Sequence, residues 1–386
     1  MTHISGNATR ISHRRSKSSF LSIHLLVFLS LPIACAIGLS GCGGGQNGLG
    51  PGVISGGPIG PRVPANSQTA VFGSAVDSAT NMIYVVASGS PESASSGVFY
   101  AVNGTSNSVA ATLTGLAFPT GVDVDSGSDT VYIANGGSNT VSVVNGTTNA
   151  VVASIAVGTS PSAIAVNSTT HTVYVDNAGD GTVSVIDGAT NTVTATISTG
   201  ITDVNLIAVD PSLNRVYVGS NQGYAVGIAL IQGASNTRGN SVYIKNAPQA
   251  LAIDPASHIL YAESNEATGT YVTSTTQIDA IDETGGAYLS TIVVPGFVNS
   301  PGLAFNAGAS LLYAGNNTTS NLDVVKQYSV ATTVPYALAG SVVNSICANS
   351  ATNTVYAVYS PANSTGLSIQ TINGATNVTA STLTLQ

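Results

Sequence analysis

Tryptophan is absent from this chain, methionine occurs twice, and only 7% of the residues are charged. Cysteine occurs three times, at Cys35, Cys42 and Cys347. Cys35 lies inside an apolar run near the N-terminus and Cys42 closes that run, which leaves Cys347 alone and excludes a disulfide framework. Basic residues are scarce beyond residue 41, where five Lys and Arg face seventeen Asp and Glu, a formal charge of about −12. A surface of that sign does not gather phosphates, so nucleic acid is excluded as a partner.

What the chain does contain is Gly, Ser, Thr, Asn, Ala and Val. β-Branched residues suit a pleated, half-buried surface, and Gly and Asn suit tight turns, so the composition favours strands over helices. The first 41 residues stand apart. Arg10, Arg14, Arg15 and Lys17 make a basic start, an apolar run extends from Phe20 to Leu39, and the run ends on Leu39-Ser40-Gly41-Cys42. Residues 1–41 therefore read as a secretory signal. Its last four residues resemble the bacterial lipobox, in which the cysteine thiol takes a diacylglyceryl group, so Cys42 is the expected lipidation site and the membrane the expected partner of its lipid. Residues 42–66 read as a tether, because residues 43–66 hold nine Gly and four Pro in 24 positions with no apolar period. A flexible chain of that length spans roughly 25–30 Å, enough to hold a domain clear of a membrane surface.

Residues 67–386 carry a repeat. "TVSVVNGTTNAVVASIAVG" at 140–158 returns nearly unchanged as "TVSVIDGATNTVTATISTG" at 182–200. Tyr84, Tyr132, Tyr174, Tyr217, Tyr261, Tyr313 and Tyr356 each follow an aliphatic residue, at intervals of 48, 42, 43, 44, 52 and 43. Seven residues before each stands Asp77, Asp125, Asn167, Asp210, Asp254, Asn306 or Asn349. Each unit parses as four short strands, the first turn begun by the Asp or Asn, whose side chain accepts a backbone N–H two residues on, with Gly supplying positive φ. A four-stranded sheet that is apolar on both faces has to pack between neighbours of its own kind. Seven of them arranged radially predict an all-β, seven-bladed β-propeller of four-stranded antiparallel blades, each blade built from contiguous chain.

The quoted repeats, with Tyr174-Val175-Asp176-Asn177, Tyr132-Ile133-Ala134-Asn135 and Tyr313-Ala314-Gly315-Asn316 in the place of a Tyr-Val-Thr-Asn motif, resemble the YVTN family of β-propeller repeats. The Thr of that motif is never present, and blades 1, 4, 5 and 7 lose the Asn. The resemblance implies an exported or surface-layer protein with an adhesive or binding role.

Residues of chemical interest have structural readings too. His171 and His258 both stand three before the Tyr, where other units carry Asn81, Asp129, Asn214, Ser310 or Asn353. They read as polar turn residues about two blades apart, which suits neither a shared metal nor a triad. Asp123, Asp125 and Asp129, and Asp176 with Asp180, hint at calcium loops, but neither group supplies a full ligand set. The seven Tyr read as inter-blade packing. A pyrroloquinoline quinone propeller uses docking Trp residues, and there are none. No metal, cofactor or catalytic residue is expected.

The expected function is therefore that of an exported, lipid-anchored, non-catalytic binding or scaffold protein at the cell envelope. The alternative is a propeller enzyme of the lactonase or hydrolase type. Gly43 lacks the Asp associated with inner-membrane retention, which favours the outer membrane or cell surface. Binding is expected on the face that carries the longer, variable loops, where Glu92, Asp176, Asp180, Asp203, Tyr224, Glu263, Glu266 and Tyr271 are the candidates and an envelope protein or a polysaccharide the partner.

Overall fold

A computed structural model describes residues 53–54, 57–58, 70–88, 97–201, 203–220, 227–266, 275–294, 302–338, 340–361 and 366–385. Contacts divide the chain into residues 1–46 and 47–386, and all described residues belong to the second unit. Cys42, Glu92, Tyr224 and Tyr271 lie outside the described residues.

Seven antiparallel sheets follow one another along the chain, at residues 70–116, 119–156, 161–198, 206–243, 248–294, 303–335 and 342–385. We number them blades 1 to 7. In each, the strands pair in chain order. The first strands form a closed inner ring, each lying against the next, and Val342–Asn349 of blade 7 returns to Ala70–Val76 of blade 1. The molecule is a seven-bladed β-propeller, and among the described residues no strand is exchanged between its ends.

Burial explains why the sheets assemble radially. The inner strands Pro119–Asp125 and Pro161–Asn167 are buried at every position, whereas the outer strand Thr192–Ser198 is mostly exposed. The core lies between sheets. One cluster joins Tyr174, Val183 and Val185 of blade 3 to Val209, Val216 and Val218 of blade 4. Another joins Tyr356, Val358 and Ile369 of blade 7 to Ile83, Val85 and Val102 of blade 1, so the ring closes by the same packing that builds it. Each such aliphatic side chain removed from water stabilises the fold by about 1.5–3 kcal/mol. Cys347 is a fully buried member of the closing cluster, and burial pushes its thiol up to about 12.

The first turns follow one local rule. In all seven, the Asp or Asn accepts the backbone N–H two residues on, from Ala79 to Asp77 at 2.8 Å through to Ala351 to Asn349 at 3.0 Å. Positive φ falls on Asn81, Asp129, His171, Asn214, His258, Ser310 and Asn353 rather than on Gly. Asn tolerates the left-handed region because its short polar side chain bonds locally, and His171 and His258 occupy the same place.

Glycine has another use here. In the third turns a Cβ on Gly104 would come within 2.5 Å of the Tyr356 hydroxyl, and one on Gly233 within 2.6 Å of the Tyr174 hydroxyl. The Tyr of one blade thus reaches the third turn of the next, and glycine makes room for it.

Within the segment read as a tether, Val53–Ile54 pairs antiparallel with Gly57–Pro58. The first of these strands runs beside the inner strands of blades 1 to 4, and the second beside those of blades 5, 6, 7 and 1. This two-residue hairpin therefore sits at the centre of the ring.

Candidate functional site

The repeat is broken most conspicuously between blades 4 and 5. In blade 4 the outer strand is interrupted. Thr237–Arg238 pairs with Ile231 and Gln232, and Val242–Tyr243 pairs with Gly227 and Ile228, with Asn240 and Ser241 out of the ladder between them. On the facing side, the third turn of blade 5 carries Glu283 where blades 1, 2, 3, 4 and 7 carry Gly104, Gly146, Gly188, Gly233 and Gly374. The equivalence is set by one hydrogen bond. The Glu283 N–H donates to the His258 carbonyl at 2.9 Å, as the Gly188 N–H donates to His171 and the Gly233 N–H to Asn214. Blade 4 also places Arg215 two residues before its Tyr, where Thr130, Thr172 and Thr354 stand in three other blades.

A cavity of about 390 Å³ opens at this junction, lined among others by Arg215, Tyr217, Gln232, Asn240, Tyr243 and Glu283. The Arg215 guanidinium donates to the Glu283 carbonyl oxygen and holds the turn against blade 4. The Glu283 residue is only 6% exposed, and its carboxyl faces the Asp210 carboxyl and the Tyr217 hydroxyl. Burial, and after it the neighbouring Asp210 carboxyl, push Glu283 up to about 9 against the opposing charge of Arg215. Burial acts to raise Asp210 as well, but the Glu283 carboxyl and the Ser212 and Leu213 donors outweigh it and hold Asp210 below its ordinary value. The proton of this pair therefore rests on Glu283 at neutral pH. Behind it, His258 Nδ1 lies 3.3 Å from Asp210 Oδ2.

The residues expected on the loop face are distributed differently. Asp176 and Glu263 have no exposed surface. Both stand two residues after the buried Tyr of their strand, and alternation puts residues i and i+2 on one face, so they share its burial. The Ser162 hydroxyl donates to Asp176 Oδ2 at 3.2 Å, and burial, opposed by that bond, holds the carboxyl well above its ordinary value. Glu263 is likewise raised by burial and then by the charge of Asp323 in blade 6. Asp180 caps its own turn, accepting from the Thr159 N–H at 2.8 Å and the Thr182 hydroxyl at 2.5 Å. Asp203 is exposed, and its carbonyl accepts the Ser220 hydroxyl at 2.9 Å. Glu266 ends the strand Ile259–Glu266. Asp176 and Asp180 are neighbours, while Glu263 stands two blades away, so the described candidates do not converge on one site.

Both histidines are tied into the ring. His171 Nδ1 lies 2.6 Å from Asp125 Oδ2 of blade 2, and His258 reaches Asp210 of blade 4. Among the described residues no group of three or more His, Cys, Asp and Glu is arranged to hold a metal ion.

Fold and site together define the class: a β-propeller whose repeat is broken between blades 4 and 5, where a polar cavity opens. A family model described as a YNCE-like beta-propeller matches residues 93–283, and with the seven-bladed ring it fits a YVTN-type β-propeller repeat protein. Among solved structures, the chain is similar to one of Kuenenia stuttgartiensis hydrazine synthase, with a TM-score of 0.64 and 16% identity over 80% of this chain and 97% of that one. At that identity the likeness is one of fold. No curated protein matches the sequence.

Proposed function

We propose that this chain is an exported, lipid-anchored propeller that acts as a non-catalytic binding or scaffold protein at the cell envelope. The address rests on the basic start, the apolar run and Leu39-Ser40-Gly41-Cys42. Lipid on Cys42 is the membrane contact, and the outer membrane or cell surface is the location in this reading. The observation that carries the binding role is the engagement of both histidines beyond residue 42, each held against a turn Asp of the preceding blade. General acid–base work needs such a group within reach of a substrate proton. A rigid ring with a polar cavity at one junction suits recognition better.

Replacing Cys42 with Ser and fractionating the cells tests the address. Release from the membrane fraction is expected, and unchanged association would overturn it. Incubating the purified full chain with a panel of lactones, with and without added divalent metal, tests the role. No turnover is expected; saturable hydrolysis would replace the binding reading with the hydrolase one.

A further inference from the structure

We infer that the cavity between blades 4 and 5 binds a neutral saccharide unit. The inference rests on the binding role proposed above and names the ligand class of that site. Four observations lead to it.

The cavity lies where the repeat is broken on both of its walls. Asn240 and Ser241 leave the ladder of blade 4, and Glu283 replaces the glycine of the third turn in blade 5. Its size, about 390 Å³, falls at the lower end of the range of small-molecule sites, roughly 300–1,000 Å³.

The second observation is Glu283 itself. Its carboxyl is buried and lines the cavity, and the neighbours able to bond it, the Asp210 carboxyl and the Tyr217 hydroxyl, stand outside good hydrogen-bond geometry. A buried polar group left in poor hydrogen-bond geometry is costly, and a ligand hydroxyl that bonds it well recovers part of that cost.

Third, the lining is made of groups that pair with hydroxyls. The amides of Gln232 and Asn240 each offer a donor and an acceptor side by side, Arg215 offers a planar fork of donors, and a protonated Glu283 offers one donor and an acceptor. Vicinal diols match these pairs. Tyr243, 78% exposed, stands at the same cavity and offers an aromatic face to the C–H side of a sugar ring.

Charge decides between ligand classes. An anion entering the cavity would meet the carboxylate of Asp282 in the lining and that of Asp210 behind Glu283. A cation would meet the Arg215 guanidinium and a carboxyl that holds its proton. The guanidinium and the carboxylates offset one another, so the lining favours neither sign of charge, and a neutral polyol can accept from the one and donate to the others.

Isothermal titration calorimetry on the detergent-purified full chain tests the inference. The probes are glucose, galactose, N-acetylglucosamine, maltose, lactose and chitobiose, with glucuronate and glucosamine as charged controls. One saturable site for at least one neutral sugar is expected. Tyr243→Ala should weaken it about tenfold. Glu283→Gly, which restores the glycine of the other blades, should abolish it, and Glu283→Gln should retain it. No neutral sugar bound by the native chain would overturn the inference, as would tighter binding of glucuronate or glucosamine, or binding unchanged in both Tyr243→Ala and Glu283→Gly. Failure here leaves membrane release by Cys42→Ser and the lactone panel untouched, so loss of the ligand class is distinguishable from loss of the binding role.

Discussion

The junction of blades 2 and 3 and the junction of blades 4 and 5 are built on the same repeat and differ in how their walls meet. At the first, Thr130 precedes Tyr132 of blade 2 by two, Gly188 fills the third turn of blade 3, and a Cβ there would come within 2.7 Å of the His171 carbonyl and 2.9 Å of the Tyr132 hydroxyl. The outer strands are continuous, at Ala150–Ala156 and Thr192–Ser198. At the second, Arg215 and Glu283 occupy the corresponding positions and the outer strand of blade 4 is interrupted. The regular junction is closed by packing. The irregular one exchanges close packing for buried polar groups and a cavity, and proteins tend to carry such local inconsistency where they function.

The largest difference is expected from truncating the Tyr at comparable places. Tyr174→Ala removes a fully buried side chain from the dense blade 3–4 cluster and should cost about 3–5 kcal/mol in chemical denaturation. Tyr217→Ala at the irregular junction should cost less, about 2–3 kcal/mol, because one side of that ring already borders a cavity. Equal costs would show that the two junctions are packed alike.

Exchanging the turn residues sharpens the contrast. Gly188→Glu forces a side chain against the Tyr132 hydroxyl and the His171 carbonyl and should destabilise by about 2–3 kcal/mol. A melting temperature unchanged by Gly188→Glu would mean that the third turn has room at every junction.

A pH series isolates the carboxyl. Because the folded state raises Glu283 to about 9 from an ordinary 4.5, it holds a proton that the unfolded chain releases. The resulting contribution to stability is complete below about pH 4.5 and is lost as pH rises towards about 9. Glu283→Gln carries no such proton. It should therefore flatten the decline and be more stable than the native chain at pH 8, on the order of 1–2 kcal/mol. Parallel pH profiles for the two proteins would remove Glu283 as a titrating group.

The smallest effect is predicted for His171→Asn. His171 reaches Asp125 at 2.6 Å, but its side chain is half exposed and Asn81, Asn214 and Asn353 hold the same turn position with the same positive φ. A change below about 0.5 kcal/mol is expected in thermal melts. A larger loss would give the His171–Asp125 pair a share in joining blades 2 and 3.

The expected loop face fared unevenly. Asp176 and Glu263 are buried rather than on that face, and alternation from Tyr174 and Tyr261 gives the reason, since residues i and i+2 of a strand share a face. The blade 4–5 site was also visible in principle. In the aligned units Glu283 stands where five blades carry Gly and blade 6 carries Gln327, and Arg215 stands where the other six carry uncharged residues.

Sequence alone determined the number of blades, the position of each Tyr and the seven capped first turns. These depend on rules that act within a few residues: strand alternation, an Asp or Asn accepting its own chain's N–H, and a period that one sheet cannot satisfy without neighbours. Only the tertiary structure decided which carboxyls are buried and which turn meets which Tyr. Glu283 and Arg215 are 68 residues apart and meet because blade 5 packs against blade 4. The raised carboxyl, the displaced outer strand and the cavity are properties of that contact, and burial and neighbouring charge do not exist until the ring has formed.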